Sequence, residues 1–238
     1  MSVKKWLIGT FVIIACAVIG WLIQIYWDSD DSLSTWQLPL SGRIIILDPG
    51  HGGVDGGAVA KSGLLEKDIA LDISLKLRDY LQESGALVLM TREGDHDLAA
   101  EDVKGYRNRK VSDLKRRVEL INETGSDMFI SLHLNSIPSP KWSGAQTFYN
   151  RSVPDNELAA KFVQAELTRN LENTKREAKP ISNIYLLDKA AIPGMLIEVG
   201  FLSNPQEASM LSKEEYQDKV AASIYQGLLR YYSGEEME

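Results

Sequence analysis

With 238 residues, 44% of them hydrophobic and 25% charged, the chain has the apolar content for one folded domain and an appendage. Its net charge of −7 excludes non-specific nucleic-acid binding, which needs a basic surface. The single cysteine, Cys16, excludes an intramolecular disulfide and leaves histidines and carboxylates as the only ligands for a metal elsewhere in the chain.

Lys4 and Lys5 precede an apolar run over residues 6–27, and Asp28, Asp30 and Asp31 follow it. As a helix that run is roughly 33 Å long, enough for a hydrocarbon core of roughly 30 Å. Trp6, Trp21, Tyr26 and Trp27 fall near interface positions, and positive charge on one side only orients the segment N-in, C-out. Residues 1–27 are therefore a signal-anchor or a signal peptide, and both readings stay open. Either one sends the rest of the chain outside the cytoplasm.

Residues 28–42 form a polar linker. "RIIILD" (43–48) is a buried strand by composition. From Leu64 to Ser84 an apolar stripe at Leu65, Ile69, Ile73, Leu77 and Leu81 predicts a helix that Gly85 stops. "ALVLMTR" (86–92) is the next strand; residues 93–111 are charged and irregular, and 113–124 is a helix. Strands follow at 127–133 and 144–150, a helix at 154–173, strands at 183–188 and 194–201, and a closing helix at 213–232. This alternation predicts an α/β three-layer sandwich with a mostly parallel central sheet and helices on both faces, preceded by one N-terminal transmembrane or signal-anchor helix. The folded domain spans 43–234, and 235–238 is an acidic tail.

In such sheets ligands bind beyond the carboxyl ends of the strands. His51 follows the first strand, His133 ends "FISLH", Glu198 ends "MLIE", and Glu66 opens the first helix. Two imidazoles and two carboxylates thus gather on one rim. A catalytic zinc takes three protein ligands and leaves a place for water. In that reading His51, Glu66 and His133 hold the ion, and Glu198 is the general base and then the acid. Glycines at 52, 53, 56 and 57 let the backbone pass close to metal and substrate. Asp48 is a candidate to orient His51. Each residue also has a plainer reading: a histidine at a strand end is commonly structural, and Glu66 complements the helix dipole. Glu198 resists that treatment, because an unpaired buried carboxylate is costly. Spacing alone leaves the two readings level, since no compact HExxH-type signature is present.

A glycine loop after a strand also suggests a phosphate cradle, but neither GxxxxGK[ST] nor GxGxxG occurs here. A serine hydrolase lacks its GxSxG elbow. Arg92, at a strand end, is a candidate for a substrate carboxylate or a structural ion pair. Asn135 and Asn204 are candidates for loop-positioning bonds. His96 and the basic run from Arg107 to Arg117 have the character of a solvated face.

"LDPGHGG", "LLEKD", "TREGD", "SLHLNS" and "IEVGFLSN" together closely resemble the zinc-dependent N-acetylmuramoyl-L-alanine amidases, the type-3 family of bacterial cell walls. The likeness runs from about Arg43 to Tyr232. It implies one zinc ion (Zn2+), with its ligands on His51, Glu66 and His133, and catalysis by Glu198. It also implies a peptidoglycan substrate, cut between the lactyl group of muramic acid and L-alanine. A single anchor followed directly by the catalytic domain is most similar to the spore-cortex members of endospore-forming bacteria, which act in making muramic-δ-lactam. That implies work in the forespore or cortex compartment. A silent wall-binding relative is the alternative, disfavoured because gripping needs no proton shuttle. A helper protein is neither implied nor excluded.

Overall fold

The computed structural model describes residues 14–25 and 38–237. Contacts divide the chain into a unit ending at Leu38 and a compact unit from Pro39 to Glu238. In the first, residues 14–25 are helical and largely exposed. The rest of the apolar run lies outside the described residues, and among the described residues no helix is long and apolar enough to cross a membrane.

The compact unit is built on six strands: β1 (Ile44–Pro49), β2 (Leu87–Met90), β3 (Met128–Asn135), β4 (Gln146–Tyr149), β5 (Lys179–Pro180) and β6 (Gly194–Phe201). Their order across the sheet is β2-β1-β3-β6-β4-β5. The neighbours from β2 to β6 are parallel, whereas β4 runs antiparallel to β6 and carries β5 parallel to itself. The sheet is thus mixed but mostly parallel. Strands buried on both faces read as continuous apolar runs, which is how "IIIL" and "MFIS" appear.

One face is covered by α1 (Glu66–Glu83), α3 (Asp155–Leu171) and the closing α6 (Glu214–Tyr232). Ile73 and Leu77 of α1, Val163 of α3 and Ile224 of α6 pack there against Ile45, Ile130 and Ile197. The other face is covered by α2 (Tyr106–Glu123) and the short α4 (Tyr185–Lys189), with Ile121, Leu186 and Leu187 against Ile46, Phe129 and Leu196. Alternate residues of each strand serve opposite faces. Asp48, Ser131, His133 and Glu198 therefore share the α2 side, and the site opens there.

Two expectations are corrected, and one helix not foreseen is added. The strand expected over 183–188 is instead α4 from Tyr185 to Lys189. A short apolar run is ambiguous between strand and helix, and the sheet edge beside β4 is already taken by Lys179–Pro180. Asn183, at φ +67, turns the chain so that Leu186 and Leu187 cover the sheet instead of joining it. Helix α2 begins at Tyr106, not 113, directly after Gly105 at φ +84. Helix α5 (Pro205–Leu211) follows β6: the Asn204 side chain accepts from the Gln206 and Glu207 amides, and Pro205 occupies the first turn. Asn204 thus does position its loop, whereas Asn135 acts through its backbone carbonyl, which accepts from Leu202 N–H at 2.8 Å.

Candidate metal centre

His51, Glu66 and His133 converge at the carboxyl rim of β1 and β3. His51 Nε2 lies 3.1 Å from Glu66 Oε1, and His133 Nδ1 lies 3.0 Å from the same oxygen. The two imidazoles meet edge to face with centroids 5.0 Å apart. One ligand atom from each residue falls within 4.8 Å of the others. Glu66 is fixed by backbone donors: Leu134 N–H gives to Oε1 at 3.0 Å and Ala58 N–H to Oε2 at 2.7 Å. The glycines leave this space clear. A Cβ on Gly50 would stand 2.4 Å from His133 Cε1, and one on Gly57 would stand 2.5 Å from Glu66 Oε2. Two imidazoles and a carboxylate around one point, with backbone thinned to admit them, fit a zinc-type ion.

Burial opposes charge on the His51 ring, but the Asp55 and Glu66 carboxylates outweigh it and raise its pKa to about 9. Burial likewise favours the neutral acid of Glu66, yet the two histidines hold it well below the usual carboxylate range. The same acceptors that keep a proton here would keep a metal cation in its stead.

His51 sits at φ +61, a conformation few side-chain-bearing residues adopt unaided. Two buried arginines hold the loop there. Arg117 donates to the carbonyls of Pro49 at 2.8 Å and His51 at 2.5 Å. Arg92 donates to those of Pro49 at 3.0 Å and Gly50 at 2.9 Å, and also to Lys67 and Gly94. Arg92 is 2% exposed, so it forms neither the ion pair nor the substrate contact expected of it; its partners are carbonyls. Asp48 is fully buried and does not touch His51. It accepts from Arg117 at 2.6 Å, Thr91 at 2.7 Å and Ser131 at 2.6 Å. Burial pushes the Asp48 carboxyl up, but Arg117 and the two hydroxyls more than reverse it.

The carboxylate that orients His51 is Asp55, 2.9 Å from Nδ1. It also accepts from Tyr106 Oη at 3.0 Å, Lys110 Nζ at 2.9 Å and Gly57 N–H at 3.2 Å. Sequence reasoning missed Asp55 and assigned Lys110 and Arg117 to a solvated face. The signal was present in the spacing: Tyr106, Lys110, Asp113 and Arg117 recur at helical intervals of four, three and four, a polar stripe on one side of α2. His96 is exposed and stands apart from the three-residue cluster.

Glu198 pairs with His133 in the β3–β6 ladder, and both line a cleft of about 320 Å³ with His51, Asp55 and Lys110. Its Oε2 is buried without a hydrogen-bond partner among the described residues. Burial raises its pKa, the histidines lower it and Glu66 raises it, for a net value of about 7. An orphaned, near-neutral carboxyl beside a cation cradle is placed to exchange a proton at physiological pH.

Residues 45–230 match the family model described as N-acetylmuramoyl-L-alanine amidase. The chain is 56% identical over 229 residues to the germination-specific N-acetylmuramoyl-L-alanine amidase of Bacillus subtilis, covering 96% of this chain and 95% of that one. Among solved structures, the CwlD amidase of Clostridioides difficile in complex with the GerS lipoprotein is 45% identical, with a TM-score of 0.79 over 82% of this chain and all of the other. The catalytic domain of CwlV from Bacillus (Paenibacillus) polymyxa is 29% identical, with a TM-score of 0.70 over 80% of this chain and 98% of its own.

Proposed function

This chain belongs to the N-acetylmuramoyl-L-alanine amidase family, and we propose that it hydrolyses the amide between the muramic lactyl group and L-alanine of peptidoglycan with the help of one zinc ion. The observation that carries the reading is the buried, unpartnered Oε2 of Glu198 beside the His51–Glu66–His133 cluster. A wall-gripping module has no use for such a carboxyl, whose burial is costly.

His51, Glu66 and His133 would hold the zinc. When bound, the ion supplies Lewis-acid chemistry, lowering the pKa of a water from about 16 to roughly 7 and polarising a carbonyl oxygen. Glu198 takes a proton from the attacking water at Oε2 and returns it to the amide nitrogen. The C–O bond forms, the C–N bond breaks, and the products are the lactyl carboxylate and a stem peptide whose free α-ammonium group has taken up both protons of the water. Asp55 keeps the His51 proton on Nδ1, leaving Nε2 as the ligand atom. The likeness to the germination-specific relative supports a cortex substrate, extracytoplasmic work and a place before muramic-δ-lactam closure. The apolar run 6–27 supports anchoring to the membrane.

The test is digestion of purified cortex and vegetative peptidoglycan by residues 28–238 alone, with and without a chelator, read by mass spectrometry. Free stem peptides are expected only with metal present, and cleavage by the lone chain would mean that no helper is needed. Glu198→Ala should keep zinc and lose hydrolysis, while His51→Ala should lose both. Undiminished cleavage after metal stripping overturns the proposal.

A further inference from the structure

The stem-peptide carboxylate expected at Arg92 needs another cation, because Arg92 is sealed in the core. Gln146 of β4 lies directly opposite Glu198 across the antiparallel ladder, so both side chains rise on the same face of the sheet. Gln146 Oε1 accepts from Arg176 Nη1 at 3.1 Å, and Gln146 Nε2 donates to the Glu177 carbonyl at 3.1 Å. Arg176 Nε donates to the Ser143 carbonyl at 3.1 Å.

The guanidinium is also held between two aromatic faces, 5.1 Å from the Phe201 ring centroid and 5.5 Å from that of Trp142. Trp142 is itself 52% exposed. Among the described residues Arg176 has neutral acceptors only, and Nη2 has no hydrogen-bond partner. The nearby Glu207 carboxylate feels its charge but spends its oxygens on the Gly144 and Phe201 amides. Arg169 and Arg230, by contrast, both pair with Glu166, and Arg109 pairs with Asp97. The exposed Arg107 and Arg151 also lack a carboxylate partner among the described residues but are not held between aromatic faces. A cation fixed by stacking and two bonds, with Nη2 unspent, is preorganised for a planar oxyanion.

We infer that Arg176, backed by Gln146 and Trp142, is a specificity-determining residue that binds a free carboxylate of the stem peptide next to the scissile amide. The inference rests on the amidase reading above. One strand and one side chain beyond Glu198 is on the order of 10 Å, and an extended peptide advances at most roughly 3.5 Å per residue. That reach selects the second or third stem residue.

The experiment measures binding apart from cleavage. The zinc-loaded Glu198→Gln chain is titrated by calorimetry with two muramoyl tripeptides that differ only in whether the carboxyls of the second and third stem residues are free or amidated. The free acid should bind roughly tenfold or more tightly, as a charge-assisted pair predicts. Arg176→Met should erase that preference while binding the amide as before, and Arg176→Lys should retain part of it. Equal affinities for acid and amide in the parent chain, an unchanged ratio in Arg176→Met, or no measurable binding of either ligand overturns the inference. Hydrolysis of the same acid by the wild-type chain reports separately on the amidase reading.

Discussion

Arg117→Met is the sharpest perturbation of the scaffold. The guanidinium belongs to a residue only 1% exposed and spends its donors on Asp48, Asp113 and the carbonyls of Pro49 and His51. Methionine fills much of the volume but strands Asp48, fully buried, with only the Thr91 and Ser131 hydroxyls as donors. Breaking a buried ion pair from one side costs about 3–5 kcal/mol, against a total stability of about 5–15 kcal/mol for a domain. With a urea slope of about 2–3 kcal/mol/M, the midpoint should fall by about 1–2.5 M, followed by far-UV circular dichroism. Asp48→Asn should cost less on top of Arg117→Met than alone, because the charge it removes is already unpaired. A loss below about 1 kcal/mol, the range of exposed pairs, would refute the reasoning and return Arg117 to the solvated face that its basic neighbours suggest.

Asp55→Asn should weaken zinc binding by about 10–100-fold, measured by chelator competition, since an amide no longer fixes the His51 tautomer; unchanged affinity would remove Asp55 from the site. Gly50→Ala should yield a folded chain that binds little zinc, because its Cβ would stand 2.4 Å from His133 Cε1, and full metal occupancy would contradict it. The metal-free chain should lose stability as pH rises. Glu198 has its pKa raised by burial from 4.5 to about 7, so its contribution is complete below 4.5 and lost as pH passes 7. His51, raised from 6.5 to about 9 by Asp55 and Glu66 against the effect of burial, contributes fully below 6.5 and loses that contribution as pH passes 9. Between pH 6 and 9 the combined loss is on the order of 4 kcal/mol, visible as a falling midpoint in thermal melts. A flat profile for the metal-free protein would contradict both shifts.

The layered architecture was legible because β1, β3 and β6 are buried on both sides and cannot avoid long apolar runs. Residues 183–188 were not, since four apolar residues satisfy a strand and a helix turn equally; the choice was made by sheet-edge occupancy, which local pattern does not encode. The N-terminal start of α2 was hidden for a related reason. Its first seven residues carry only Val111 as an aliphatic residue, because what that turn packs against is the polar loop of His51, not the core.

The same asymmetry governs the site. His51, His133 and Glu198 could be placed from the sequence because each follows or ends a strand, and strand ends share one rim. Their supports could not be placed that way. Asp55, Arg92 and Arg117 act on backbone carbonyls and on a ring nitrogen, contacts that depend on how residues 49–57 fold back on themselves. A loop with His51 at φ +61 and Gly57 at φ +68 exposes its carbonyls inward, and buried carbonyls demand donors. Two arginines satisfy several of them at once without a hydroxyl or amide to misorient. The charge of Arg117 is then balanced by Asp48 and Asp113 beneath the cleft, and Glu198 is the carboxyl the network leaves unpaired. Uncompensated burial at that one position is what keeps its proton exchangeable near neutral pH.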